Sequence, residues 1–128
     1  MFINDLRNSD DNWLKDENLF RSMEQYANQI GSREKRNQVR KAFNQFITVL
    51  RTAQRSNIKY RLRILDTRLL YSKARETIGN DLYSAYHEII KKISNTIPDD
   101  DEKFKRWSDD VRRFVEAFYA YLYVNARK

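Results

Sequence analysis

Residues 59–75 read KYRLRILDTRLLYSKAR. Ile58, just before this stretch, and Leu62, Leu65 and Leu69 within it recur at helical spacing, with no Gly or Pro to interrupt them. The pattern predicts an amphipathic helix from about Asn57 to Thr77 with one face turned inward. Arg61, Arg68 and Arg75 follow one another at seven-residue steps. At 3.6 residues per turn they lie along one flank of the apolar stripe, about 10 Å apart, with Ile64 and Tyr71 between them.

A row of arginines on an isolated helix is ordinarily a solvated face, but this one belongs to a larger segregation of charge. Between Arg33 and Arg75 there are thirteen Lys or Arg against only Glu34 and Asp66; the rest of the chain holds twelve basic and sixteen acidic residues. One third of the sequence therefore carries strong positive charge and the remainder a mild negative one. That is the electrostatic footprint of a surface for phosphates.

The 128 residues suit one domain, 1–128, able to bury roughly two-thirds of the surface exposed by the unfolded chain. With 41% hydrophobic and 13% aromatic residues the chain can fill a core, and 34% charged residues suit a solvated surface. Two Gly and one Pro supply too few turns for a β or α/β chain. The expectation is an all-α, single-domain five-helix bundle with short connections. No Cys is present, so disulfides, thiolate metal sites and a cysteine nucleophile drop out. The start, MFINDLRNSDDNW, lacks the pattern of a secretory signal, and no apolar run approaches the roughly 18 residues of a membrane span. A cytoplasmic protein without membrane partners is expected.

Along the chain, residues 1–11 read as a mobile polar segment, with Asp10, Asp11 or Asn12 placed to cap a first helix. Leu19, Met23, Tyr26 and Ile30 mark that helix's inner face, and Gly31 is placed to end it in a left-handed conformation, with Ser32 capping the next. The second helix, about Ser32 to Gln54, buries Val39, Phe43, Phe46 and Leu50. Its other side groups Arg33, Arg40, Asn44, Arg51 and Arg55 in a narrow arc with Lys41 nearby. The short link at Arg55–Asn57 lets the second and third helices pack antiparallel, which would bring their basic flanks together. Gly79 and Asn80 stop the third helix, and Asp81 starts a fourth with Leu82, Tyr86, Ile89 and Ile93 inward, ending at Ile97-Pro98. Asp99-Asp100-Asp101-Glu102 is read as the start of a fifth helix, where carboxylates meet a favourable dipole, in preference to a metal site. That helix, about Asp101 to Tyr123, carries Phe104, Trp107, Val111, Phe114, Phe118 and Leu122 inward; Tyr119, Tyr121 and Tyr123 make it either central or left with an edge for a partner.

Little in the chain supports catalysis. His87 is the sole histidine and reads as a surface or core-edge residue; there is no Gly-rich phosphate loop, nucleophile elbow or zinc spacing. No catalytic residue, metal ligand or cofactor is assigned. Binding is the better supported class, with Arg and Lys neutralising phosphates in a salt-dependent, sequence-tolerant way.

Three segments resemble a known family. Gln38-Val39-Arg40-Lys41 followed by Phe43-Asn44 resembles the Ser-Gln-Ile-Arg-Lys segment of the small helical subunit of type III CRISPR-Cas effector complexes, particularly the type III-A (Csm) kind. Leu65 to Arg75 is similar to that family's Leu-x-Pro-Lys-Leu-Ala-Tyr-x-x-x-Arg, with Arg68 at the lysine, Tyr71 at the tyrosine and Arg75 at the last arginine. Phe114 to Tyr121, FVEAFYAY, resembles its closing Phe-Phe-Glu-Ala-x-x-Ala-Tyr. The segments come in the right order between Gln38 and Tyr123. Thr67 stands where the family often has proline, Arg36-Asn37 replaces Thr-Ser, and Leu-Tyr-Val-Asn follows Tyr121, so a type III-D subunit fits nearly as well.

The resemblance implies a five-helix bundle without enzymatic activity, stacked in several copies as a minor filament beside the backbone and large subunits, its basic surface along the guide RNA and target RNA. By carry-over, Arg40, Lys41, Arg68 and Arg75 approach RNA phosphates, while Tyr71 and Glu116 pack or orient neighbours. The charge pattern adds Arg51, Arg55 and Arg61 to the RNA-binding set. The alternative is a helical interaction module, an adaptor or anti-phage inhibitor, whose basic face meets an acidic protein; a small metal-dependent nuclease is the weaker third reading.

Overall fold

The computed structural model describes residues 1–128 as an all-helical chain. Six helices follow in order: α1 (Phe2–Arg7), α2 (Glu17–Ile30), α3 (Arg36–Thr52), α4 (Ile58–Ala74), α5 (Asn80–Ser94) and α6 (Asp101–Asn125), with 3₁₀ turns at Trp13–Lys15 and Gly31–Arg33. The expected five are α2 to α6; the sixth is α1, in the segment expected to be mobile. Its Phe2 and Leu6 stand four residues apart on one face and are both buried. Phe2 lies 6.0 Å from Phe118 and 5.8 Å from Tyr26, ring centre to ring centre. Arg7 donates twice to the Glu88 carboxylate, at 3.0 and 2.9 Å, tying α1 to α5.

The longest helix, α6, lies at the centre and packs against both α2 and α3, while α5 packs against α1 and α4. The buried apolar residues form one cluster. Within it Phe114 meets the edges of Trp13 at 5.0 Å and Phe20 at 5.2 Å, and Phe118 meets Tyr86, itself 5.4 Å from Phe46. Each of these large side chains contributes about 1.5–3 kcal/mol by leaving water. The inward residues expected on α2, α4 and α5 are all buried; on α3 and α6, Phe43 and Trp107 are partly covered and pack against the cluster.

The helix ends differ in detail from expectation. Asp16, not Asp10–Asn12, caps α2, its carboxylate accepting from the N–H groups of Asn18 and Leu19. Gly31 is right-handed at φ −57°, so it is not a left-handed cap. Its reason is proximity: a Cβ there would stand 2.5 Å from Asn125 Cβ and 3.2 Å from the Leu122 carbonyl oxygen, where the end of α6 crosses. Lys35 rather than Ser32 precedes α3, without a side-chain cap. The acidic run does open α6: Asp100 accepts from the Lys103 N–H, and Asp101 and Glu102 occupy the first turn. The chain's end is brought back to the start of α3, where the Arg36 N–H donates to the Arg127 carbonyl at 2.7 Å and the Arg127 N–H to the Glu34 carbonyl at 2.8 Å. No helix is long and apolar enough to cross a membrane.

Candidate nucleic-acid interface

Helices α3 and α4 are consecutive, joined by a short link, and packed on each other. On α3, Arg40 and Arg51 fall within about 20° of each other around the axis, and Lys41 lies about 100° round from Arg40. Lys41 faces α4, lining with Gln38 and Gln45 a groove of about 280 Å³ whose other wall is Ser72, Arg75, Thr77 and Ile78. The α3 and α4 flanks thus meet at Lys41 and Arg75. Arg40 and Arg51 occupy the ridge of α3 further round.

Charge on this face is largely uncompensated. Arg40, Lys41, Arg51, Arg68 and Arg75 are exposed and Arg61 is half-buried. None of the six has a carboxylate within 4 Å; the chain's ion pairs lie elsewhere. Arg55 departs from the set, because its Nε is 2.8 Å from Asp101 Oδ1. The acidic start of α6 has come round to the α3–α4 link and holds that guanidinium. The Arg75 guanidinium lies 5.5 Å from the centre of the Tyr71 ring, a cation–π contact that leaves its N–H groups available at the edges.

The structure adds cations that the sequence reading left out of the site. A second recess of about 560 Å³ shares Gln38, Thr77 and Ile78 with the first and is lined by Arg33, Lys35, Lys73 and Arg127, together with Glu34 and Glu76. Lys73 sits 5.4 Å from the Tyr83 ring centre, and Arg33 is paired with Asp81. Lys35 and Lys73 belong to the basic third, but nothing in spacing singles them out. Arg127 comes from the far end of the chain and reaches this place only through the backbone bridge to Glu34 and Arg36. The floor is held by Glu34, which is buried and accepts the Gly79 N–H at 3.0 and 3.2 Å. Burial pushes its carboxyl above the usual range, against the pull of the Gly79 N–H.

His87 is half-buried between α4 and α5, with Nδ1 3.1 Å from both Asp66 oxygens, while the Tyr83 hydroxyl donates to Asp66 Oδ1 at 3.1 Å. Burial, with the Asp66 charge beside it, pushes the Tyr83 hydroxyl up to about 12. The three residues join α4 to α5 as a polar clasp. No three acidic or histidine side chains converge as metal ligands would. The tyrosines of α6 are not an open edge: Tyr119 stacks on Phe43 at 4.1 Å, and Tyr123 lies under the Arg36 guanidinium at 5.0 Å. The exposed aromatics, Tyr60 and Tyr71, are on α4 instead.

No curated protein and no solved structure matches the chain. The family model described as Csm2 Type III-A matches residues 14–125, which spans α2 to α6 and all seven of the cations singled out in the sequence. The match settles the subtype, and the chain belongs to the Csm2 type III-A family, the small subunit of a type III-A CRISPR-Cas effector complex.

Proposed function

We propose that the chain is a non-catalytic subunit whose α3–α4 face lies along the guide RNA and target RNA of the effector complex, contacting the phosphate backbone. Copies stack as a minor filament beside the backbone and large subunits. The observation that carries this reading is the set of six cations, Arg40, Lys41, Arg51, Arg61, Arg68 and Arg75, without a carboxylate partner on two neighbouring helices. Unpaired cations on a folded surface release counterions when they meet phosphates, which drives association without reading sequence. Arg55, engaged by Asp101, is left out of the contact set.

A single copy offers few contacts, so affinity for free RNA is modest and the assembled complex multiplies it. The test is fluorescence anisotropy with labelled single-stranded RNA on the full chain and on the combined Arg40→Gln, Arg68→Gln, Arg75→Gln variant. Binding should weaken steeply with salt in the wild type and be abolished in the variant, with helicity by circular dichroism unchanged. Normal RNA binding by the triple variant would sink the assignment of this face.

A further inference from the structure

Helix α4 is apolar on two faces, and the bundle covers one of them. Ile58, Leu62, Leu65 and Leu69 are buried. On the outer side Tyr60, Ile64, Thr67 and Tyr71 follow at steps of four, three and four residues, which aligns them as a ridge about 16 Å long. Tyr60 is 68% exposed, Tyr71 63% and Ile64 37%; Leu70, beside the ridge, is 46% exposed. Elsewhere the exposed large apolar side chains are only Met1 and Val124, near the chain ends. A helix apolar on both faces is ordinarily packed on both, and a patch of this kind on an otherwise polar surface marks an interaction site.

The flanks define the occupant. Arg61, Arg68 and Arg75 border the ridge on the side of α3, and Arg63 lies on the opposite side. None of the four has a carboxylate partner. Side chains at alternating four- and three-residue steps with charges in the flanking positions form the seam that two helices share. We propose that the outer ridge of α4 docks an amphipathic helix of a partner protein, apolar along its seam and acidic on its flanks.

Other occupants fit less well. Two α4 ridges from two copies would set arginine rows against each other, and no other helix of this chain exposes an apolar seam to offer in exchange. An RNA strand would satisfy the arginines and stack on the tyrosines, but it would leave Ile64 and Leu70 without a partner. A docked helix covers both and supplies the opposite charge. The apolar ridge adjoins the α3–α4 groove and shares the arginine row with it, while Tyr60, Ile64 and Leu70 lie outside the groove.

The test uses the full chain and a combined Tyr60→Ser, Ile64→Ser, Leu70→Ser variant, which keeps every cation, the Tyr71 ring beside Arg75 and, since all three substituted side chains are exposed, its thermal stability. The probe is a labelled synthetic three-heptad helix with leucine along its seam and glutamate on its flanks, beside a lysine-flanked twin. Anisotropy should show saturable binding of the glutamate helix, weakened at least about tenfold in the variant, with no binding of the lysine twin and an unchanged affinity for single-stranded RNA. The proposal is overturned if the wild type ignores the glutamate helix or if the variant binds it as well, since charge alone would then account for it. It is also overturned if RNA affinity falls with the ridge, or if the wild type self-associates through the ridge in sedimentation. Absence of RNA binding in the wild type, with peptide binding still ridge-dependent, would remove the RNA reading and leave this one standing.

Discussion

Glu34 and Glu88 are the two buried carboxylates of the chain, and their surroundings move them in opposite directions. The two hydrogen bonds from Arg7 hold Glu88 below its ordinary value of 4.5, outweighing the cost of burial. Its stabilisation is therefore present above about pH 4.5 and is lost as pH falls through its lowered folded value. Burial raises Glu34 above 4.5, so its contribution is present at low pH and is lost as pH rises through its raised folded value. Glu88→Gln should cost about 1 kcal/mol at neutral pH, a small figure because Arg7 is half exposed to solvent. The cost should shrink at acid pH, below that lowered folded value, where the wild type too has lost the charged contact. Urea unfolding at the two pH values checks this, and an equal loss at both would contradict it. Gly31 shows where reading residues in isolation goes astray. A glycine after an apolar stripe suggests a left-handed cap, whereas this one is required by the passage of Asn125, ninety-odd residues away in sequence.

At the scale of elements, α2 to α6 were legible because each carries an apolar stripe several turns long, and the stripe sets both the period and the buried face. Helix α1 was not, for it has six residues and polar neighbours, and two apolar side chains at i and i+4 make no recognisable period. Only the bundle supplies the pocket that makes Phe2 and Leu6 core residues. Phe2→Ala should accordingly destabilise the protein by about 3–5 kcal/mol, the range for a buried Phe. Thermal or urea unfolding measures it; a variant as stable as the wild type would return the segment to a mobile tail. Helix α4 shows the converse difficulty. Its stripe of Ile58, Leu62, Leu65 and Leu69 marked the inward face, but that the second apolar face, with Tyr60, Ile64 and Tyr71, stays exposed follows only from what α3 and α5 leave uncovered.

Across the whole molecule the segregation of charge survives folding, because most cations of the basic third stay at the surface and find no acid of their own chain. Arg55 is the exception among those singled out, and it yields a comparison. Arg40→Gln should lower the salt slope of single-stranded RNA binding by about 0.7, one phosphate contact. Arg55→Gln should leave it nearly unchanged, since Asp101 already holds that guanidinium. Titrations of anisotropy against salt separate the two, and equal effects would mean that the ion pair opens on RNA. Arg127 behaves in the opposite sense, joining the recess beside Lys35 and Lys73 although its sequence neighbours gave no sign of it.

The sequence by itself determined the all-helical class, the five long stripes with their inward residues, the basic third and the family. These follow from period, composition and local charge, which need no partner in space. Tertiary structure alone decided the sixth helix, the return of the chain's end to Glu34 and Arg36, the capture of Arg55 by Asp101, and the exposure of the second apolar face of α4. Each of these depends on which distant element comes to lie alongside, and packing, unlike periodicity, is not written in any one stretch of chain.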